Sequence, residues 1–125
     1  FSGLGSRVGA TTFRQRACVY QGFRQPGDAS PAVLFYTGNE GPVDLYVNNT
    51  GLMWSLGQEL GAVLIFAEHR YFGESMPELE GMENCMAYVT STQALADYAL
   101  LVPQLKHRLG IDPEAPVVAF GGSYG

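Results

Sequence analysis

The chain has 125 residues, of which 46% are apolar and 12% aromatic, a composition typical of a folded domain rather than a disordered segment. Its net charge of −5 argues against a nucleic-acid partner, because proteins that bind the phosphate backbone usually carry a basic patch and the sequence has none. The longest apolar run, residues 62–67, is far shorter than the roughly 18 residues of a membrane-spanning helix, so we expect no membrane segment.

The first third of the chain indicates strands. Residues 1–12 are small and polar without periodicity, and they indicate an arm or the remnant of an earlier strand. Weak alternation predicts a strand over residues 14–23, and the segment 25–31, QPGDASP, is typical of a hairpin loop. The run AVLFYT at 32–37 is apolar throughout, which is the pattern of a strand covered on both faces in a parallel sheet.

The middle of the chain predicts one helix and a second buried strand. Residues 52–60 have an imperfect helical periodicity interrupted by Gly57. The side chains expected on the buried face of this helix are Leu52, Trp54, Leu56 and Leu60. The run AVLIFA at 62–67 again reads as a strand buried on both faces.

The last third predicts a long helix and a third buried strand. After a loop over 68–88, Thr90 and Gln93 indicate a capped helix start, and the helix should end at Leu109 before a glycine. Its expected buried face, with spacings of three and four, consists of Leu95, Tyr98, Val102, Leu105 and Leu109. The run PVVAFG at 116–121 is the third strand. The three apolar strands should be parallel neighbours, so the fold class is α/β, with a mostly parallel sheet and crossover helices.

The sequence GGSYG directly follows the third buried strand. Gly121, Ser123 and Gly125 match G-x-S-x-G, in which a serine occupies a strained turn between strand and helix and small residues flank it. Ser123 is therefore the candidate nucleophile. An ordinary glycine turn is the alternative, and the preceding α/β order argues against it.

Backbone N–H groups near this serine are the candidates for an oxyanion hole. The turn should aim the N–H of Tyr124 at the reacting carbonyl, and a second donor should come from a loop after an earlier strand. The glycine-rich TGNEG loop at 37–41 is such a loop, and Gly38 and Asn39 are its candidate donors. No cofactor and no metal site is expected.

The loop EHRYFGES at 68–75 should lie on the same rim of the sheet, because it also follows a buried strand. We interpret its charges as scaffold rather than direct chemistry, with Arg70 paired to Glu68 or Glu74. His69 and His107 precede Ser123, whereas in α/β-hydrolases the histidine follows the serine, so neither is expected to be the catalytic base.

These motifs resemble a known family. FYTGNEG, AEHRYFGES, QALADY and GGSYG occur in the order and at the spacing of the lysosomal Pro-X carboxypeptidase and dipeptidyl peptidase II family of serine peptidases, over about residues 30–125. The resemblance implies an α/β-hydrolase core with a helical cap, a Ser-Asp-His triad, cleavage next to proline, and a lysosomal or secreted location. Residues 13–125 would then be a partial hydrolase domain, the N-terminal half of the core, with the cap, the triad Asp and the triad His beyond it.

The resemblance assigns the nucleophile to Ser123 and the oxyanion donor that follows it to Tyr124. The expected partner is a peptide with proline near one terminus, and the 125 residues alone should be inactive. Glu40 is a candidate for binding a substrate α-ammonium, as a dipeptidyl peptidase needs, although a buried glutamate that orients its loop would explain it equally well. Asn48 begins a glycosylation sequence, Asn-Asn-Thr.

Three questions stay open at the level of sequence. The chain could serve a carboxypeptidase or a dipeptidyl peptidase. The same core could belong to an esterase or lipase, or to a non-catalytic protein. Cys18 and Cys85 could form one disulfide, but their spacing does not decide this.

Overall fold

The structure is a computed structural model that describes residues 4–8, 11–77 and 88–125, with side chains from residue 12 onward. Its elements in chain order are β1 (Leu4–Val8), β2 (Thr11–Gln15), β3 (Ala17–Tyr20), β4 (Val33–Tyr36), α1 (Val43–Asn49), α2 (Gly51–Leu60), β5 (Val63–Ala67), α3 (Ser91–Arg108) and β6 (Val117–Phe120). Among the described residues, no helix combines the length and apolarity needed to cross a membrane.

The three apolar runs form adjacent strands of a four-stranded sheet with the order β3-β5-β4-β6, in which β6 lies at one edge. β4 is parallel to both β5 and β6, with Val33 opposite Val63 on one side and Val117 on the other. The predicted parallel arrangement of the three strands is therefore confirmed. β3 is antiparallel to β5.

The strand predicted over residues 14–23 is divided in the structure, so that prediction is wrong in its bounds. β2 pairs with β1 in a separate antiparallel ribbon, and β3 joins the main sheet. The break falls at Arg16, whose N–H donates to Ser75 Oγ at 2.9 Å and whose carbonyl accepts from Glu68 N at 2.9 Å. A tertiary contact thus takes the place of the ladder at this residue. β1 lies within the segment expected to be an arm or a remnant strand.

Two apolar clusters cover the two faces of the sheet. Successive side chains of a strand point to opposite faces. Val33 and Phe35 of β4 accordingly pack with α3 in one cluster, whereas Leu34 and Tyr36 pack with α1 and α2 in the other. β4 and β5 are buried at every position, as their uninterrupted apolar sequences predicted. The same prediction is wrong for β6, which is exposed at three of its four positions because β4 is its only described neighbour in the sheet.

Helix α1 was not predicted from the sequence. It has seven residues and no side-chain cap at its N-terminus from a neighbouring residue. Its first N–H, that of Val43, donates instead to the carboxylate of Glu68 at 2.9 Å. Because this partner comes from a distant loop, the local sequence carries no signal for the start of the helix.

The predicted buried face of α2 is partly wrong. Leu52 and Leu60 are exposed, and Met53 and Gly57 face the sheet instead. A Cβ at Gly57 would lie 2.6 Å from Leu64 Cδ2, so the helix approaches the sheet on its glycine side. Close approach through a glycine turns the larger leucines outward.

Helix α3 begins as predicted, with Gln93 N–H donating to Thr90 Oγ1 at 3.2 Å. Tyr98 and Leu105 are buried as expected, but Leu95 is 63% exposed, so its predicted place in the buried face is wrong. The residues buried beside them are Ala94, Asp97, Leu101 and Lys106. Val102 and Leu109 pack against the same cluster, as predicted. The face therefore differs from the prediction in losing Leu95 and in including Asp97 and Lys106, which have buried partners.

Arg70 and Asp97 form the buried ion pair that fixes α3. Arg70 Nε and Nη2 donate to the Asp97 carboxylate at 2.7 and 2.6 Å, and the side chains are 0% and 1% exposed. The guanidinium also lies over the Phe13 ring, 5.4 Å from its centroid. The predicted pairing of Arg70 with Glu68 or Glu74 is therefore wrong, and the partner comes from α3.

Breaking this pair should strongly destabilise the protein. We expect Arg70→Met to lower the free energy of unfolding by about 3–5 kcal/mol, because it removes the guanidinium that faces the buried Asp97 carboxylate. Arg70→Met combined with Asp97→Leu should cost much less than the sum of the two single changes. Denaturant unfolding of the complete natural protein measures both. The control is Arg108→Met, an exposed arginine of the same helix, which should change stability by only about 0.5 kcal/mol. Equal costs at positions 70 and 108 would contradict the interpretation.

Candidate functional site

Ser123 lies in the turn that directly follows β6. Its side chain is exposed and its φ is +57°, in the left-handed region that residues other than glycine rarely adopt. Such a conformation costs about 1–3 kcal/mol and persists where the surrounding structure enforces it, often at functional sites. The backbone at Ser123 therefore has the strained geometry that a nucleophile turn requires.

The two outer glycines of GGSYG hold this turn closed. A Cβ at Gly121 would lie 2.3 Å from the carbonyl carbon and oxygen of Gly125, so the ends of the turn are in contact. A Cβ at Gly125 would lie 2.3 Å from Gly38 O and 2.2 Å from Asn39 Oδ1. Gly122, by contrast, faces open space. The turn thus closes on itself and on the TGNEG loop.

The TGNEG loop is joined to the end of β6 through Thr37. The Thr37 N–H and hydroxyl both donate to Phe120 O, at 3.0 and 3.1 Å. Gly38 follows with φ +68°, and a Cβ there would lie 2.5 Å from Ala67 O. The structure therefore brings Gly38 and Asn39 next to the serine turn, as the sequence predicted for their position.

Several backbone N–H groups at this place have no hydrogen-bond partner. Within the described part of the chain, the N–H groups of Gly38, Asn39 and Tyr124 donate to no protein atom, whereas Gly41 N and Gly125 N bond within their own turns. Unpaired N–H groups beside a reactive serine are the components of an oxyanion hole.

The Tyr98 side chain of α3 contacts the same loop. Its hydroxyl donates to the carbonyl oxygen of Thr37, and its ring packs edge-to-face on Phe35. Burial raises the pKa of the Tyr98 phenol above its ordinary value. The hydroxyl therefore stays protonated, and remains a donor, at neutral pH.

Glu68 joins the EHRYFGES loop to the start of α1. One carboxylate oxygen accepts from Val43 N at 2.9 Å. The other accepts from Glu74 N and Ser75 Oγ, both at 2.8 Å. A Cβ at Gly73 would lie 2.1 Å from the carboxylate, so this glycine is required for the loop to fold over it. The fully buried Glu68 holds backbone in place and does not face solvent.

His69 of the EHRYFGES loop packs its ring against the serine turn. Its Nδ1 is 2.7 Å from Arg70 O, and its ring is 5.2 Å from that of Tyr124. Nε2 is buried and has no hydrogen-bond partner among the residues that the structure describes. His107 is exposed near the end of α3. Neither imidazole has a hydrogen bond to Ser123 in the described part of the chain.

A cleft of about 230 Å³ opens between the serine turn and the start of α3. Its walls are formed by Thr37, His69, Ser91, Ala94, Leu95, Tyr98, Tyr124 and Gly125. The cleft places mostly apolar surface next to the residue that follows Ser123.

The other predicted residues lie away from this turn or at its margin. Glu40 is exposed in the TGNEG loop, so the alternative of a buried, orienting glutamate is wrong. Asn48 is exposed in α1, where a glycan could be attached. Cys18 has no disulfide partner among the described residues, and Cys85 lies outside them. In residues 12–77 and 88–125, no group of three His, Cys, Asp or Glu side chains could hold a metal ion.

Sequence reasoning missed Asp97 and Tyr98 as parts of the site's support. Both belong to QALADY, and Tyr98 was assigned only to an apolar helix face. An aspartate inside the buried stripe of a helix is a signal for a buried basic partner, and Arg70 was available. The tyrosine hydroxyl gave no comparable signal.

A strained serine turn between close-packed glycines, at the carboxyl end of a parallel sheet, is an arrangement that serine hydrolases use. Over residues 7–125 the sequence matches the family of serine carboxypeptidase S28, and the chain belongs to this family.

Relatives of known name agree with this membership. The chain is 45% identical to human lysosomal Pro-X carboxypeptidase over 117 residues, which are 91% of this chain and 23% of that protein. It is 45% identical to prolyl carboxy peptidase like protein 5 of Caenorhabditis elegans over 97 residues, 74% of this chain and 19% of that protein. It is 34% identical to mouse thymus-specific serine protease over 114 residues, 90% of this chain and 22% of that protein. The chain thus spans less than a quarter of the length of these relatives.

The two neighbouring glycines 121 and 122 offer a matched test of the turn. We expect Gly121→Ala to destabilise the protein by about 1–3 kcal/mol, because a new methyl group would overlap the Gly125 backbone and force the turn open. Gly122→Ala should be tolerated, because nothing lies within 4 Å of the new Cβ. Thermal unfolding of the complete natural protein compares the two variants. If both substitutions were tolerated equally, the closed turn would not be the structure in solution.

Proposed function

We propose that Ser123 is the nucleophile of a serine exopeptidase that cleaves peptides next to proline. The observation that carries the proposal is the left-handed φ of Ser123 in a turn that adjoins unpaired N–H groups of the TGNEG loop. Residues 13–125 would be the N-terminal half of an α/β-hydrolase core, with β4, β5 and β6 at its centre. Family membership supports both parts of the proposal.

The chemistry assigns distinct tasks to the serine and to the backbone. Ser123 Oγ attacks the scissile carbonyl carbon while its proton passes to a histidine. The carbonyl oxygen becomes an oxyanion, which accepts hydrogen bonds from Tyr124 N–H and from Gly38 or Asn39 N–H. Collapse of this intermediate expels the amine with the transferred proton and leaves an acyl-serine. Water then hydrolyses the ester, and the acid product leaves.

The histidine and its acid partner are proposed to come from outside these 125 residues. His69 has a buried Nε2, and His107 is on the surface of α3. In α/β-hydrolases the acid and the histidine follow the serine in the chain. In the 125 residues alone, we therefore expect no histidine to be available to accept the Ser123 proton. They should be inactive.

The substrate is proposed to be a peptide with proline on the acyl side of the cleaved bond, and the location to be lysosomal or secreted. The name of the human relative, lysosomal Pro-X carboxypeptidase, supports removal of a C-terminal residue. The exposure of Glu40 at the edge of the site favours a second candidate, a dipeptidyl peptidase in which this carboxylate binds the substrate α-ammonium. An exposed Asn48 that carries a glycan would agree with a secretory route.

Substitution of the serine tests the proposal directly. In the complete natural protein, Ser123→Ala should abolish labelling by a fluorophosphonate and lower kcat on a proline-containing peptide by about 10⁴-fold or more, the size of triad effects. Ser55→Ala, at an exposed position of α2, should change neither. The measurements are mass spectrometry of the labelled peptide and initial rates.

The substrate panel decides between the alternatives. Hydrolysis of simple esters without peptides would favour an esterase or lipase. Loss of activity on substrates with a free N-terminus in Glu40→Gln alone would favour the dipeptidyl peptidase. Full activity in Ser123→Ala would overturn the proposal.

A further inference from the structure

We propose that Tyr98 is a positioning residue for the oxyanion hole, which it orients through the peptide bond between Thr37 and Gly38. This inference rests on the proposed function, since it assigns the Gly38 N–H a catalytic task. Tyr98 also forms part of the wall of the cleft beside the serine turn, but the role proposed here requires no contact with the substrate. Its effect would pass through one hydrogen bond to the loop.

The Tyr98 hydroxyl has its hydrogen-bond partner in the TGNEG loop. Tyr98 is 7% exposed, and its hydroxyl donates to the carbonyl oxygen of Thr37, 61 residues away in the chain. The carbonyl lies just beyond the end of β4, where the strand ladder no longer determines the direction of the backbone. A helix thus provides the donor that the sheet does not.

The planar peptide bond transmits this contact. The carbonyl of Thr37 and the N–H of Gly38 belong to one trans peptide unit, in which they point in opposite directions. Fixing the carbonyl toward α3 therefore fixes the N–H away from α3. That N–H is one of the groups without a hydrogen-bond partner in the described part of the chain.

A glycine at this position makes such a restraint necessary. Gly38 has φ +68°, and glycine populates both signs of φ readily, so its preceding peptide plane is easily rotated. Thr37 is held on its other side by two hydrogen bonds to Phe120 O. The Tyr98 hydroxyl lies 3.4 Å from the Cβ position of Gly38. Strand and helix together leave the peptide unit one orientation.

The decisive variant removes only the hydroxyl. In the complete natural protein, Tyr98→Phe should lower kcat by about 10- to 100-fold, less than the full loss of one oxyanion donor. KM should stay within about twofold, because the ground-state substrate gains little from an oxyanion donor. Tyr20→Phe is the control, since Tyr20 lies on the edge strand β3 in a separate aromatic cluster.

A transition-state analogue separates positioning from a general loss of structure. The affinity for a peptide boronate with proline at the acyl position, which forms a tetrahedral adduct, should fall by the same factor as kcat. The affinity for the product peptide ending in proline should not change. Rates are expressed per active site titrated with fluorophosphonate, so that unfolded molecules do not contribute.

Rescue tests the hydrogen bond itself. 4-Aminophenylalanine at position 98 keeps a donor in the same place, so it should restore part of the kcat lost in Tyr98→Phe. If Tyr98→Phe does not fold, the variant with 4-aminophenylalanine at position 98 is compared with the natural protein instead. Because the aromatic amine is a weaker donor than the phenol, the kcat of this variant should be lower.

The outcomes distinguish the positioning role of Tyr98 from the proposed function. A lower melting temperature with unchanged kcat and boronate affinity would overturn the positioning role and leave the proposed function intact. Failure of Ser123 to react with fluorophosphonate in the natural protein would overturn the proposed function itself. Equal losses for the boronate and the product peptide would indicate a disturbed cleft and would also overturn the inference.

Discussion

The buried ion pair between Arg70 and Asp97 is the interaction on which the geometry of the site depends. Arg70 follows β5 by three residues, and Asp97 lies in the second turn of α3. The pair therefore fixes the position of the helix relative to the carboxyl end of the sheet. Tyr98 is the next residue, and only a helix held at this height and rotation brings its hydroxyl to Thr37 O. The buried Arg70–Asp97 ion pair thus determines whether the Tyr98 hydroxyl can reach Thr37 O.

The strained turn at Ser123 persists because its surroundings leave the backbone little alternative. Gly121 and Gly125 are in contact across the turn, and Gly125 is in contact with Gly38. A side chain at either outer glycine would separate the turn from the loop beside it. The strain of about 1–3 kcal/mol at one residue is offset by close packing of backbone on backbone around it. This explains why small residues are required two positions before and two positions after the serine, at Gly121 and Gly125.

The sequence was sufficient to predict features that depend on neighbouring residues. Uninterrupted apolar runs predicted the three parallel strands, and Thr90 with Gln93 predicted the start of α3. Helix α1 could not be predicted, because Glu68, which caps it, comes from another loop. The buried faces of α2 and α3 were mispredicted in part for a related reason. Hydrophobic spacing ranks leucines above glycine and aspartate, whereas Gly57 and Asp97 face the interior through specific contacts.

The same limits apply to the site. The G-x-S-x-G pattern and the glycine-rich loop were visible, because their chemistry depends on backbone conformations that only certain residues allow. The side chains that support these loops could not be predicted. The sequence of an apolar helix face is the same whether or not the hydroxyl of its tyrosine makes a tertiary hydrogen bond, as that of Tyr98 does. The charged residues of the EHRYFGES loop were interpreted as structural, which agrees with their buried contacts, but the partner predicted for Arg70 was wrong. Sequence spacing does not reveal which carboxylate a helix carries to a loop.

Helix α3 acts as a template for both ends of the segment that carries the serine. Lys106, near the end of the helix, donates to Pro113 O at 2.9 Å and Ala115 O at 2.6 Å, and these carbonyls directly precede β6. Tyr98, two turns earlier, donates to the loop that receives the end of the same strand. Between these points β6 has only β4 as a described neighbour in the sheet. The entry to β6 and the turn that follows it are therefore aligned by one rigid helix, and the Arg70–Asp97 pair sets where that helix lies. Because the proposed oxyanion donors are backbone N–H groups, their accuracy depends on this alignment and not on the choice of any side chain that touches the substrate.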